Sequence, residues 1–320
     1  MSIGVPGYLH PNLPYLAVGG IQTPAVQMLP PAARIAGYVR SGGPADADDE
    51  EVKRRLHTTL AGALSQVRSG KGDTILVLPG HSENVTDATM LDNLVAGTRI
   101  VGVGNPFQDD APTFDWTNTA GQWTVDQKNV QIENLRLTIS GAAGVVKGIN
   151  ITGASCGVHN CFIETADSTN KATIALEVGS AATHCHITGN YFAGSKGDDS
   201  TNVIKVVGGT VPSNLRVLGN TMFCSATEIN GLIQITVAAL NCEIAWNTLY
   251  NTEAASTACI VVDNVAADGV IHHNMMGTLN NGTVTAQGII QGAASLFKAF
   301  ENYSCDEPIK SGVLQPAAAT

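Results

Sequence analysis

Glu164 and Asp167, three residues apart, are the first side chains that could do acid–base chemistry together. A pair of carboxylates can open a glycosidic bond, one as general acid and the other as base or nucleophile. The plainer reading, and the preferred one, is solvated charge on a turn. His184, His186, His272 and His273 are metal ligands by type, but ligands must converge on one ion. These two pairs are well separated along the chain and read as surface histidines. The seven cysteines (156, 161, 185, 224, 242, 259 and 305) are odd in number and contain no Cys-x-x-Cys pair. That argues against a disulfide framework and a zinc knuckle and leaves buried free thiols. No cofactor and no metal set is expected. Trp116, Trp123 and Trp246 offer rings for sugar stacking but form no repeating series.

Composition narrows what these groups are set in. The 320 residues are 44% hydrophobic and only 14% charged, with 34 Gly and a net charge of −10. Low charge with high apolar content excludes a mainly disordered chain, and the shortage of charged residues excludes a coiled coil. The negative balance opposes general nucleic-acid binding. No apolar run approaches the ~18–20 residues of a membrane span. The first 20 residues, MSIGVPGYLHPNLPYLAVGG, have neither the basic nor the apolar region of a secretory signal. The expectation is synthesis in a cytoplasm, with no membrane partner and no nucleic-acid partner.

Four segments are expected. Residues 1–45 hold seven prolines yet also Tyr8, Leu13, Tyr15, Leu16, Val18 and Ile21. They read as an extended arm, folded on its own domain or docked on a neighbouring subunit. Residues 46–71 hold a capping helix over 46–69. Asp46, Asp48, Asp49, Glu50 and Glu51 crowd its start, where the helix dipole favours anions. Val52, Leu56, Leu60, Leu64 and Val67 make its apolar stripe, and Gly70 its stop. Residues 72–307 change to strand periodicity, and 308–320 form a tail.

Internal repeats decide the fold of the long segment. Asn134, Asn160, Asn190, Asn220, Asn247, Asn274 and Asn302 are spaced by 26, 30, 30, 27, 27 and 28 residues. Val146, Ile174, Ile204, Ile233, Ile260 and Ile289 form a second series in step. A leucine-rich repeat also carries Asn at a similar period, but its leading Leu is missing here, at Ala182, Pro212 and Ala239. Each unit instead holds β-branched, Gly-punctuated runs such as Leu232–Val237 (LIQITV) and Cys259–Val262 (CIVV). At least two strands and no helix per unit means a coil of parallel β-helix. Successive coils lie ~4.8 Å apart, so Asn can adopt the turn conformation and bond coil to coil as a ladder. The same register turns Cys185, Ile187, Leu215, Val217, Cys242 and Ile244 inward and His186, Arg216 and Glu243 outward, which predicts an Arg216–Glu243 surface pair. Asp198 is expected near Glu164 and Asp167 by stacking. The capping helix should cover the apolar N-terminal end of the stack.

With its helix and this first coil, Gly72-Asp73-Thr74-Ile75-Leu76-Val77-Leu78-Pro79-Gly80-His81 resembles the start of the pectate-lyase-like right-handed parallel β-helix superfamily. The resemblance spans about residues 46–307 and implies an all-β, single-stranded, right-handed solenoid. That architecture serves polysaccharide lyases, hydrolases and bacteriophage virion proteins such as tailspikes and capsid decoration proteins, so fold does not settle function. Lyases of the group use an Asp cluster with calcium and an Arg base. Only Arg136 and Arg216 follow residue 100 here, in no matching context. Gly197-Asp198-Asp199-Ser200 resembles the Gly-Asp-Asp of polygalacturonase-like hydrolases, but the partner motifs are missing, and Ser195, Lys196 and Thr201 make it a polar loop. Asp198 and Asp199 join Glu164 and Asp167 as catalytic candidates, and the sequence leans away from an enzyme. The resemblance implies a bacteriophage virion structural protein, a capsid decoration or stabilisation protein or a head or tail fibre component. It would be made in the host cytoplasm and located in the virion. Partners expected on the same basis are two further copies in a homotrimer, other virion proteins such as the major capsid protein, and a surface glycan. The alternative is a carbohydrate-active β-helix enzyme, a polysaccharide lyase or tailspike-like depolymerase.

Overall fold

The computed structural model describes residues 33–42, 50–142, 144–166, 170–194, 202–208, 212–226, 231–252, 258–264, 266–278, 288–291, 295–304, 312–314 and 317–318. Three sheets run the length of these residues: sheet 1 with eleven strands, sheet 2 with ten and sheet 3 with eight. One coil passes through Arg216–Leu218 in sheet 1, Thr221–Cys224 in sheet 2 and Ile233–Ile235 in sheet 3, then re-enters sheet 1 at Cys242–Ala245. Strands of successive coils pair in parallel: Val217 with Ile244, Met222 with Leu249, Ile233 with Ile260. The chain is an all-β, single-stranded parallel β-helix.

Alternation along each short strand sends one residue inward and its neighbours out. Sheet 1 buries Ile132, Val158, Ile187, Val217, Ile244 and Ile271, and sheet 2 buries Leu137, Ile163, Phe192, Met222, Leu249 and Met276. Each contributes about 1.5–3 kcal/mol by leaving water. Sheet 3 corrects the second series read from the sequence. Leu176 pairs with Ile149 on one side and with Ile204 on the other. The buried column is therefore Trp123, Ile149, Leu176, Ile204, Ile233, Ile260 and Ile289, while Val146 is 58% exposed. Val145–Ile151 and Ala172–Val178 are seven residues long with apolar residues on both faces, so alternation alone does not fix their register.

The Asn ladder is real but shorter than the repeat suggests. Asn190, Asn220, Asn247, Asn274 and Asn302 are fully buried at the corner between sheets 1 and 2. The backbone N–H of Asn220 donates to Asn247 Oδ1 at 2.9 Å, and Asn220 Nδ2 donates to Asn247 Oδ1 at 3.0 Å and to Ile187 O at 2.9 Å. Asn190, Asn247 and Asn274 repeat the pattern. Asn134 and Asn160 lie one position earlier, in left-handed conformation at φ 58° and 52°. Their register partners there are Gly189, Gly219, Trp246, His273 and Glu301, also with positive φ. Leu135 and Cys161 occupy the inward site instead, and Cys161 N–H donates to Asn190 Oδ1 at 3.0 Å. Two tasks fall on adjacent positions, an inward amide and a left-handed turn, and Asn suits both.

The N-terminal end departs from the single helix expected over 46–69. Strand β1 (Ile35–Val39) already belongs to sheet 1, although it falls inside the segment read as an arm. Helix α1 (Glu50–Arg55) stops where β2 (Leu56–His57) pairs with Tyr38 and Val39. Helix α2 (Leu60–Leu64) restarts from Thr59, whose Oγ1 accepts from Gly62 N–H at 3.2 Å. Thr58 and Thr59, with β-branched side chains, and Gly62 oppose a continuous helix, and the free sheet edge at β1 draws Leu56 into a strand. Leu60, Ala63 and Leu64 still enter the core beside Val39 and Ile75, so the end is capped by one turn of helix instead of six. Strand β3 (Thr74–Val77) opens with Asp73, a buried carboxylate. Arg68 donates to it from its backbone N at 3.1 Å, Nε at 2.8 Å and Nη2 at 2.6 Å, and Arg34 Nε lies at 3.4 Å. At the other end, Gly312–Leu314 pairs antiparallel with Asn302–Ser304, and Ala317–Ala318 adds to sheet 3. Part of the expected tail therefore pairs with sheet edges.

Two outcomes test this account. Asn247→Ala should cost about 2–4 kcal/mol in urea unfolding, because two buried donors (Asn220 N–H and Nδ2) and two carbonyl acceptors (Val217 O and Asn274 Oδ1) lose their bonds. Asn160→Gly, outside the ladder at a left-handed turn, should stay within about 0.5 kcal/mol of wild type. Burial pushes the Asp73 carboxyl up, but the side-chain and backbone bonds from Arg68 and the bond from Arg34 outweigh it and hold the pKa at about 2. The depressed value means the contribution is present above 3.8 and is lost as pH falls toward about 2. Hydrogen exchange in α2 and β1 should accelerate over that window, and Asp73→Asn should remove the acid-dependent step.

Candidate functional site

Of the four residues singled out as catalytic candidates, only Glu164 falls among the described residues. Asp167, Asp198 and Asp199 lie outside the described residues, as do Tyr8, Leu13, Tyr15, Leu16, Val18 and Ile21 of the expected docking arm. Glu164 sits on sheet 2 and is engaged: Ser140 Oγ donates to it at 3.1 Å, and Arg136 Nη2 is 3.9 Å away. Among the described residues, no group of three or more His, Cys, Asp or Glu side chains could hold a metal ion. The six described cysteines are free and buried. Burial pushes Cys161 and Cys224 up to about 12 and Cys242 up to about 11, which keeps them as inert thiols.

The outer face of sheet 1 is a set of polar columns. Arg216 and Glu243 pair in register, as the sequence predicts, and Arg99 Nη2 bonds Glu133 at 2.7 Å. His159 Nε2 donates to Gln131 Oε1 at 2.7 Å, and Thr188 Oγ1 donates to His159 Nδ1 at 2.6 Å. Gln131 Oε1 can only accept, which fixes the neutral tautomer, and burial first of all lowers the His159 pKa in the same sense. His184 and His186 are exposed, His184 on a turn rather than in the strand.

Sheet 2 carries aromatic columns that repeat by Phe and Tyr, not Trp. Phe162 stacks on Tyr191 with centroids 5.6 Å apart and planes 7° apart, and Phe223 stacks on Tyr250 at 5.2 Å and 5°. Phe107 meets both members of the first pair edge-on, and Arg136 lies 5.2 Å from the Phe162 centroid. In each pair the rings turn one face to each other along the axis. Trp116 and Trp123 are wholly buried.

Trp246 is different. It occupies the left-handed corner position at φ 61° and is 60% exposed. One face of its indole stacks on His273 in the next coil, with centroids 4.0 Å apart and planes 22° apart. The other face looks toward the preceding coil, where the same position is Gly219. A Cβ there would meet nothing within 4 Å. One coil further back is Gly189, over which the Asn160 side-chain oxygen lies, 2.4 Å from where a Cβ would be. The corner thus has a shelf of bare backbone, with an indole face at one end and an amide at the other. Three coil spacings separate Asn160 from Trp246, ~14 Å.

Behind Trp246 is a chain of titratable groups. His272 Nδ1 and His273 Nδ1 lie 2.7 Å apart. His272 Nε2 is 3.1 Å from Glu243 Oε1, and His273 Nε2 is 2.7 Å from Glu301 Oε2. Phe300 stacks on His272 at 5.0 Å and 1°. Sequence reasoning took this His pair as surface histidines and counted Trp246 only as one of three scattered rings for sugar stacking. The signal available was the unbroken aromatic and polar run at the corner position in three successive coils.

Fold and shelf define a parallel β-helix with an open aromatic platform on its corner. No protein-family model matches the sequence, and no curated protein matches it. Among solved structures the chain is similar to an endo-xylogalacturonan hydrolase from Aspergillus tubingensis, at 13% identity over 78% of this chain and 86% of that one, with a TM-score of 0.34. It is also similar to the A-module of a mannuronan C-5 epimerase from Azotobacter vinelandii, at 12% identity over 90% and 88%, with a TM-score of 0.33.

Proposed function

We propose that this chain engages a glycan on the Trp246 shelf, a carbohydrate-directed role in line with the second of the two functions expected from its sequence. One observation carries the reading: a 60% exposed indole with one face occupied by His273 and the other open above Gly219. The C–H face of a pyranose buries apolar area against such a ring, and the ring's rigidity keeps the entropy cost low. Asn160 at the far end and Thr221 and Thr248 beside the corner offer hydrogen bonds to hydroxyls. The two solved structures above are enzymes named for xylogalacturonan and mannuronan, but the reading rests on Trp246. No catalytic residue is assigned.

A second reading, self-association of the kind the virion component expected from the sequence would need, rests on a different surface. Tyr191–Ala193, Thr221–Cys224, Thr248–Asn251, Met275–Thr278 and Asn302–Ser304 are stacked strands of sheet 2 without a single charged residue. Phe223, Met275 and Tyr303 are each 48% exposed there. In a chain of net charge −10, copies repel one another except where they meet through a neutral face. The occupant is a second copy of this chain, the contact a homotrimeric head or tail component would use beside the capsid.

Isothermal titration against neutral and acidic oligosaccharides (cellohexaose, chitohexaose and oligogalacturonate) tests the first reading. Binding of any one should fall at least tenfold in Trp246→Ala. It should also weaken in Gly219→Asn, which tolerates the left-handed turn but fills the shelf. No binding by wild type, or equal binding by Trp246→Ala, refutes it. For the second reading, sedimentation velocity should show an oligomer that Phe223→Asp dissociates, and a monomeric wild type refutes it.

A further inference from the structure

The hydrogen-bond chain behind Trp246 has a protonation state that can be counted. Ionised Glu243 and Glu301 can only accept, so both Nε2 atoms carry protons. The two Nδ1 atoms, 2.7 Å apart, need one further proton between them, because two lone pairs at that distance repel. Four ring nitrogens therefore hold three protons: one imidazole is neutral, the other is a cation, and the charge belongs to the pair. The groups facing the pair are Glu243, which also pairs with Arg216, and Glu301, with Lys298 in the adjoining column of sheet 1. Asp268 is at the far end of the His272 strand and accepts from Asn241 N–H.

The shared cation lies against the indole. His273 is stacked on Trp246 at 4.0 Å and His272 meets it edge-on at 6.2 Å. A cation on an aromatic face is attracted by the ring's quadrupole. We propose that His272 and His273 act as positioning residues: by sharing one proton they clamp the Trp246 ring upright, so that the shelf binds its glycan best when that proton is present. The inference rests on the glycan reading for its consequence, but the proton-sharing stands apart from it.

The sign follows from the count. The clamp exists while the pair holds its third proton and fails once rising pH removes it. Loss of that proton sets the two Nδ1 lone pairs against each other, the rings separate, and the indole loses its backing.

Two measurements on the full chain separate this proposal from the glycan reading. In the ligand-free protein, long-range nitrogen–proton NMR of the imidazoles should show three protonated nitrogens at about pH 6 and one joint titration for both rings. Two independently titrating rings overturn the proposal, whatever binds. Time-resolved anisotropy of Trp246, taken as the difference from Trp246→Ala, should show faster ring motion as the pair deprotonates. For whichever oligosaccharide binds, affinity should fall about three- to tenfold from pH 5 to pH 8. His273→Asn, which accepts the left-handed turn, and His272→Gln should give weaker binding with a flat pH profile. An unchanged pH profile in those variants overturns the clamp. Absence of all glycan binding overturns the glycan reading and leaves the NMR and anisotropy outcomes to decide the proton-sharing.

Discussion

Every coil must present to the next a backbone and side-chain surface that it can itself accept ~4.8 Å further on. The buried Asn column is where this constraint is tightest. An amide has two donors and an acceptor with two lone pairs. Asn220 Nδ2 donates to Ile187 O one coil back and to Asn247 Oδ1 one coil on, and its Oδ1 accepts from the backbone N–H and the Nδ2 of Asn190. Turning a strand so sharply also requires a left-handed residue directly before the Asn. Inward amide and outward corner residue come as a couple, and the corner column that results is a row of side chains one coil spacing apart, pointing to solvent.

The corner surface is a consequence of that couple. Gly189, Gly219, Trp246, His273 and Glu301 are the corner residues that precede the five ladder asparagines. The ladder fixes their backbone but leaves their side chains unrestricted. Two glycines make a shelf, the indole stands on its edge, and an imidazole and a carboxylate support it from behind. The rigidity needed to hold a ring face open comes from bonds buried behind the corner. The partners that orient the ring come from the outer face of sheet 1, where His272 and Glu243 already stand in columns set by the same register.

The fold was largely legible because a period of 28 residues is a backbone property repeated many times, and each repeat reinforces the others. Individual registers were less so. Asn134 and Asn160 fit the period to within a residue, yet they serve the turn rather than the ladder, because both tasks select the same amino acid. Val146 and Ile174 entered the wrong column because long strands offer apolar residues on both faces. The helix over 46–69 satisfied helical spacing, but an open sheet edge at β1 competes with helix for Leu56, and spacing does not register that competitor. The site was hardly legible at all. Trp246, His273 and Glu301 are 27 and 28 residues apart and become neighbours only once the exact register is known. A Gly in an exposed turn, as at position 219, reads as a turn residue and not as a space.

Backbone strain bears on why the corner is built this way. A left-handed conformation costs an ordinary L-residue roughly 1–2 kcal/mol and costs Gly almost nothing. This chain uses Gly or Asn at the corner in the coils of Asn134, Asn160, Gly189 and Gly219, then places Trp, His and Glu at φ 61°, 53° and 51° in the next three. The ladder behind them enforces the same turn in all cases, so Gly would have met the structural need at each. Three costly residues in succession, two with rings stacked and the third closing their hydrogen-bond chain, are accounted for by what their side chains do together. The same reasoning separates Trp246 from the buried pair Trp116 and Trp123, whose rings fill the core and whose backbone carries no comparable cost.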